Sequence, residues 1–431
     1  MGAEYYSKDY INAVRVVARW QAMALGDMSR LITDGDHGSP TYYDDGVPYI
    51  LSETVEQGYI DDSKIRYITP QKHEELNRSA LHPGDVIVTK TGAYFGKSAV
   101  IPDDLPEANT SSHVAKITLK RGYNPYFVSA FLNCSYGYSQ LRRRGIKATR
   151  PEIALLEFDD ILIPKLSDEF DAHIEEITRR GIDARTEAIR LYTQAQQTLN
   201  DAIGFNPAEI SQKNTAVKSF SQAFSAGRID AEYFMPEYDE LLEALSGART
   251  IGELCRIHTR NYKPDNGTEY RYIELADIGT YGNITGATTA NGADLPTRAR
   301  RIVKTGQVIV SSIEGSLQSC ALITGDYDSA LCSTGFYVID AEEYNPETLL
   351  MLFKSEAVQK QMKRGCSGTI LASISEEELK RVRLPYIDEE TQKNISDHVK
   401  KSFALRKEAE QLIAHAVKSV ELAIEDNKPS R

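Results

Sequence analysis

Cysteine is scarce and badly placed for structural chemistry. Five residues (Cys134, Cys255, Cys320, Cys332, Cys366) are spread through 431 positions, an odd number with no C-x-x-C. That spacing argues against a structural zinc site and suits a reduced cytoplasm. No apolar run reaches membrane-spanning length, and the opening MGAEYYSKDY does not read as a secretory leader. There is no Gly-rich turn suited to S-adenosylmethionine, no cluster of metal ligands and no Ser-His-Asp pattern with motif context. Catalysis by this chain alone is therefore not expected. The charge balance is acidic, net −12. Such a balance argues against a general nucleic-acid binder but leaves room for local basic patches.

What is present is globular in character: 41% hydrophobic and 26% charged residues, enough chain for two to three domains. One long helical stretch is written twice. The copies, 167–203 and 388–424, align without a gap at an offset of 221, so that Ile174 falls on Ile395, Arg185 on Arg406 and Ala195 on Ala416. Small or apolar residues recur at alternating steps of three and four in both, which lays a narrow seam along a helix. The alanines permit close approach of a partner, and each copy is the simplest antiparallel partner of the other.

The duplication extends well beyond the helices. Ala3-Glu4-Tyr5-Tyr6 matches Ala231-Glu232-Tyr233-Phe234, each opening a short amphipathic helix. Val47–Ile50 matches Tyr270–Ile273, and His82-Pro83-Gly84-Asp85 before Val86–Val88 matches Lys304-Thr305-Gly306-Gln307 before Val308–Val310, a turn leading into a buried strand. Asn124-Pro125 matches Asn345-Pro346, the residue pair of a helix start. The expected division is a lead-in helix at 1–20, a mixed α/β domain at 21–166, a long helix at 167–203, a connector at 204–230, a second lead-in at 231–248, a second mixed domain at 249–387 and a second long helix at 388–428. The fold class is α+β with a pseudo-twofold internal repeat.

Two motifs mislead. Gly92–Ser98 is similar to a phosphate-binding loop, but it has three residues between its glycines where the pattern needs four. Asn124-Pro125-Tyr126-Phe127 is similar to the Asn-Pro-Pro-Tyr motif of methyltransferases, but one Pro is missing and the second copy has Asn345-Pro346-Glu347-Thr348. The helix-start reading covers both copies.

This layout resembles the DNA-specificity (S) subunits of type I restriction–modification systems. Ile32–Pro40 followed by Gly46–Ile50 is similar to the opening of their target recognition domains, and Pro83–Val88 to their Gly-Asp strand. Gly368-Thr369 through Leu384-Pro385, with Asp388, Glu389 and Gln392, is similar to their junction into the long helix. The second half departs from the opening motif and carries His258-Thr259-Arg260-Asn261-Tyr262. The resemblance implies a non-catalytic subunit in which two recognition domains, separated by two long antiparallel helices, each read one half of a split double-stranded DNA site. It implies two methyltransferase subunits docked on the helices, restriction subunits beyond them, and S-adenosylmethionine held by the methyltransferase, which modifies adenine N6. A helix of 37 residues spans about 55 Å, or about 16 base pairs, at ~1.5 Å per residue and ~3.4 Å per pair. Two other readings are an S-like subunit serving a fused methyltransferase-nuclease, and a scaffold that binds only proteins.

Phosphate contacts require cations, and base readout requires Arg, Asn, Gln, Ser or Thr on groove-facing loops. The densest cationic run is Arg142, Arg143, Arg144, Lys147 and Arg150, with no acid among them. Further candidates in the first half are Lys90, Thr91 and Tyr94, then Asn109, Ser111 and His113. In the second half they are Arg298, Arg300, Arg301, Lys304, Ser312, Ser316, Gln318, Ser333, Thr334, Lys363, Arg364 and Thr369. Asp34 and His37 are read as fixing their turn.

Overall fold

The computed structural model describes residues 3–105, 107–145, 151–204, 215–368 and 371–426. The chain divides into two compact units, Met1–Thr186 with Arg406–Arg431, and Glu187–Leu405.

The first unit begins with helix α1 (Lys8–Val17), which buries Ala13 and Val17. A four-stranded antiparallel sheet follows, built from β1 (Ser29–Asp34), β4 (Val86–Thr89), β5 (Ser98–Val100) and β7 (Val114–Leu119) in the order β1-β7-β4-β5. A smaller sheet of β2 (Val47–Ile50), β3 (Arg66–Ile68) and β6 (Asn109–Thr110) has the order β3-β2-β6, with β2 parallel to β6. Helices α2 (Pro125–Asn133) and α3 (Ser135–Gly145) follow, and α4 (Asp168–Ile203) begins in this unit and continues into the second.

The second unit repeats this plan. Its main sheet runs β8-β15-β12-β13, from β8 (Cys255–His258), β12 (Val308–Ser311), β13 (Cys320–Leu322) and β15 (Phe336–Ala341). Its second sheet, β10-β9-β14-β11, is made of β9 (Glu269–Ile273), β10 (Thr288–Asn291), β11 (Ala299–Ile302) and β14 (Leu331–Ser333), with β9 parallel to β14. Helix α5 (Pro236–Ala244) is the lead-in before these strands, α6 (Pro346–Lys354) and α7 (Glu356–Gly365) come after them, and α8 (Glu389–Asp426) begins in this unit and ends in the first.

The central strands show why this sequence makes two layers. Successive side chains of a strand face opposite sides. Val86 and Val88 join the core beneath the helices, whereas Ile87 joins a second core on the other face. Val308, Val310 and Ile309 divide in the same way. A strand covered on both faces reads as a continuous apolar run, as both do. The turn before each strand needs a residue with positive φ, supplied by Gly84 (φ 84°) and Gly306 (φ 86°). Its closing bond comes from the next side chain: Asp85 accepts from the His82 amide at 2.9 Å, and Gln307 from the Lys304 amide at 2.8 Å.

Other matched positions also make matched bonds. Asn124 caps α2, accepting from the amides of Tyr126 and Phe127, and Asn345 caps α6, accepting from Thr348. Their side-chain amides donate to the carbonyls of Asp171 and Gln392 respectively, themselves repeat equivalents. The cap role disposes of the methyltransferase-like reading of Asn124-Pro125. Gln140 of α3 exchanges two 2.9 Å bonds with the backbone of Leu162, and Gln361 of α7 does the same with Arg383 at 2.8 and 3.0 Å.

The long helices take part in both cores. In the first unit Ile174 and Ile177 share a core with Ala416, Val420 and Ile424. Gly181 lies so close to Ile413 that a Cβ there would come within 2.9 Å of it. In the second unit Tyr192, Ala195 and Leu199 share a core with Ile395 and Val399, and Ser402 Oγ donates to the Ala188 carbonyl at 2.7 Å. Ala188, Ala195, Ala409 and Ala416 are all buried.

Candidate nucleic-acid interface

In the first unit a buried carboxylate gathers basic side chains at the end of β1. Asp34 sits 2.8 Å from Lys90 Nζ, 3.5 Å from Arg78 and 3.7 Å from His37. Lys90 is itself buried, while the Arg78 and His37 side chains are exposed, 62% and 73%. The pair Asp34–Lys90 is therefore an internal anchor and the other two are its surface members. The loop after Asp34 lies flat against residues 110–112, with the Asp36 amide donating to Thr110 O and the Ser112 amide to Asp36 O. Gly35 permits this, since a Cβ there would fall 1.8 Å from the Thr110 carbonyl oxygen. Thr91 Oγ1 lies 2.9 Å from His113 Nδ1, and His113 is exposed beside it.

The structure withdraws several candidates from the surface. Asn109 is fully buried, taking a bond from Ser79 and donating to Leu76 O. Lys90, Thr91 and Ser111 are also buried. Tyr94 is half-buried, with Lys97 over its ring at 5.2 Å. These residues are expected on groove-facing loops, but Asn109 is a strand residue bonded to Ser79 and Leu76, Lys90 is paired with Asp34, and Thr91 is bridged to Glu152.

The arginine run has a different role from the one its charge suggests. Arg143 donates to the Tyr5 carbonyl at 3.0 Å and lies over the Tyr5 ring at 4.3 Å. Arg364, its repeat equivalent, donates to the Tyr233 carbonyl at 3.0 Å and lies over that ring at 4.2 Å. Both guanidiniums hold a lead-in segment by hydrogen bond and cation–π contact. Arg144 donates to Asp160 O at 3.0 Å. Burial pulls Arg144 below the usual guanidinium range, which marks it as a group desolvated by the fold. Arg142 has no ion-pair partner among the described residues. Lys147, Arg150 and Thr369 lie outside the described residues.

In the second unit Arg298, Arg300, Lys304, Gln318, Thr334 and Lys363 are exposed. Arg298 pairs with Glu274 at 3.1 Å, and Arg300 Nε donates to Thr297 O at 2.5 Å. Arg301 is half-buried, bonded to Phe336 O and set over Tyr337, so it serves the fold. Ser312 donates to Gly335 O at 2.9 Å, and Ser316 lies 2.9 Å from Ser311 Oγ. Ser333 is buried and accepts from the Gly335 amide.

Two sets of surface cations were missed. Arg78 stands 222 residues before Arg300, the same step that separates Leu81 from Val303, whose amides bond to Ala108 and Ala330. Carrying Arg300 back through the repeat would have found it. Arg260 and Lys263 flank Tyr262 in the loop after β8, where the two halves diverge, so the repeat offered no guide.

Along its length the chain is similar to solved S subunits of type I restriction–modification systems. For the S subunit from M. genitalium the identity is 12%, with 94% of each chain covered and a TM-score of 0.43. For the HsdS subunit from Thermoanaerobacter tengcongensis it is 17%, covering 95% of this chain and 96% of that one, TM-score 0.31. A chain from a structure bearing on complex assembly and conformational transition of the type I R-M system is 18% identical, with coverage of 95% and 97% and a TM-score of 0.31. No family model and no curated protein matches the sequence.

Proposed function

We propose that this chain is the DNA-specificity subunit of a type I restriction–modification complex. Each mixed α/β unit reads one half of an asymmetric bipartite site in double-stranded DNA. The long helices α4 and α8, paired antiparallel about a pseudo-twofold axis, set the spacing and dock two methyltransferase subunits, with restriction subunits joining them. S-adenosylmethionine belongs to the methyltransferase, which modifies adenine N6; this chain supplies recognition without catalysis.

One observation carries the reading. Matched residues of the repeat, Gln140 with Gln361, Asn124 with Asn345 and Arg143 with Arg364, make the same internal bonds in both units. The loops after the first strand of each main sheet instead carry unrelated side chains, Asp34–His37 in one and Arg260–Lys263 in the other. One scaffold kept twice with two different edges is what reading two different half-sites requires, because scaffold positions DNA and loop side chains discriminate bases.

The test is co-expression with a type I methyltransferase subunit from the same genome, followed by mapping of N6-methyladenine in the host DNA. The expected result is methylation at a split motif, lost when this chain is omitted. A continuous motif, or methylation independent of this chain, overturns the proposal. A neighbouring gene that fuses methyltransferase and nuclease would move the chain to the other restriction architecture.

A further inference from the structure

The second unit carries an open cleft of about 640 Å³ whose lining includes Arg260, Asn261, Tyr262, Lys263, Arg301 and Lys304, and no carboxylate among the described residues. Arg301 is committed to Phe336 O. Arg260, Lys263 and Lys304 are exposed and form no ion pair within 4 Å among the described residues, although Lys304 lies near enough to Asp328 to help lower its pKa. The loop that bears two of them is held in place. The Tyr262 amide donates to Arg300 O at 2.6 Å, tying the loop to β11. The Tyr262 and Tyr270 hydroxyls lie 3.0 Å apart, with their rings packed edge to face at 6.0 Å. Two cations thus flank a pinned tyrosine, and Lys304 faces the same space from the turn before β12.

We propose that this cleft seats the sugar–phosphate backbone of the half-site read by the second unit, with Arg260, Lys263 and Lys304 each pairing with a phosphate. The inference rests on the DNA-specificity reading and assigns these three residues to positioning the duplex. The chemistry favours phosphate over base edges because cationic donors predominate in the lining, with the Asn261 amide beside them, and phosphate oxygens are what such donors pair with. Gln307, the lining amide nearest the turn, has its oxygen bonded to the Lys304 amide and its nitrogen to Asp340. Immobilising the loop beforehand lowers the ordering cost of binding.

The full chain, assembled with its methyltransferase, would be titrated against two fluorescein-labelled duplexes, one with the methylated motif and one of mixed sequence, over a salt series. Each phosphate contact contributes about 0.9 to the slope of log K against log salt. The triple change Arg260→Gln, Lys263→Gln, Lys304→Gln should lower that slope by about 2.7 and weaken both duplexes by the same factor. The triple swap Arg260→Lys, Lys263→Arg, Lys304→Arg should keep the slope. An unchanged slope in a folded glutamine variant overturns the proposal, as does a loss confined to the motif duplex, which would mark base readout instead. Absence of binding to either duplex by the unaltered complex sinks the DNA reading itself, and the cleft assignment with it.

Discussion

Replacing Asp171 by Gln should stabilise the first unit, and by an amount that depends on pH. Asp171 lies in the first turn of α4, and its Oδ1 is buried without a hydrogen-bond partner among the described residues. Burial, helped by the nearby Asp168 charge and opposed by Lys165, pushes the carboxyl up from 3.8 to about 6. At full strength that shift corresponds to about 3 kcal/mol of penalty on ionisation, and partial exposure reduces it to about 1.5. The helix N-terminus favours the anion by about 0.5 kcal/mol, which the substitution gives up. The second copy shows what replaces it: Gln392 donates to Glu343 O and Ile387 O, both at 2.9 Å, and accepts from the Asn345 amide. A net gain of about 1 to 2 kcal/mol at neutral pH is expected once such bonds form. The sign follows from the direction of the shift. A carboxyl whose folded pKa is raised costs nothing below its unfolded value of 3.8, and its penalty grows up to about pH 6 and is constant above. Urea denaturation of both proteins across pH should show the advantage of the Gln variant opening between about pH 4 and about pH 6 and then holding level. An equal or smaller stability of the variant at neutral pH, or a difference that does not change with pH, refutes the reasoning.

Three further perturbations separate structural from DNA-contacting roles. Arg143→Ala and Arg364→Ala each remove a carbonyl bond and a cation–π contact from a lead-in segment, so denaturation should show a loss of about 1 to 2 kcal/mol. The salt slope of DNA binding should stay unchanged, and a drop of about 1 in that slope would return these residues to the phosphate backbone. Gln140→Leu strands the Leu162 amide and carbonyl together, and a loss of about 2 to 3 kcal/mol is expected in urea melts; a change within ~0.5 would contradict the paired bonds. Gly35→Ala drives a Cβ into the Thr110 carbonyl, so the loop at 34–38 must lift. Faster amide exchange at Asp36 and Ser112, whose amides stitch that loop down, is the readout, and unaltered exchange would count against the close approach.

The sequence by itself determined the duplicated plan, because period and spacing are local properties that survive divergence. The seam of Ala188, Ala195, Ala409 and Ala416, the Pro-Gly-Asp and Thr-Gly-Gln turns, and the two Asn-Pro helix starts are each legible from a few neighbouring residues. What the polar side chains face was settled only in three dimensions. Asn109 and Lys90 look like surface residues until Ser79 and Asp34 are brought against them, and Arg143 looks like a free cation until Tyr5, distant in sequence, is placed beneath it. Charge and hydrogen-bonding capacity are written in the residue type. Whether that capacity is spent inside the protein or left for a ligand depends on partners supplied by tertiary packing, and no local pattern in the chain encodes them.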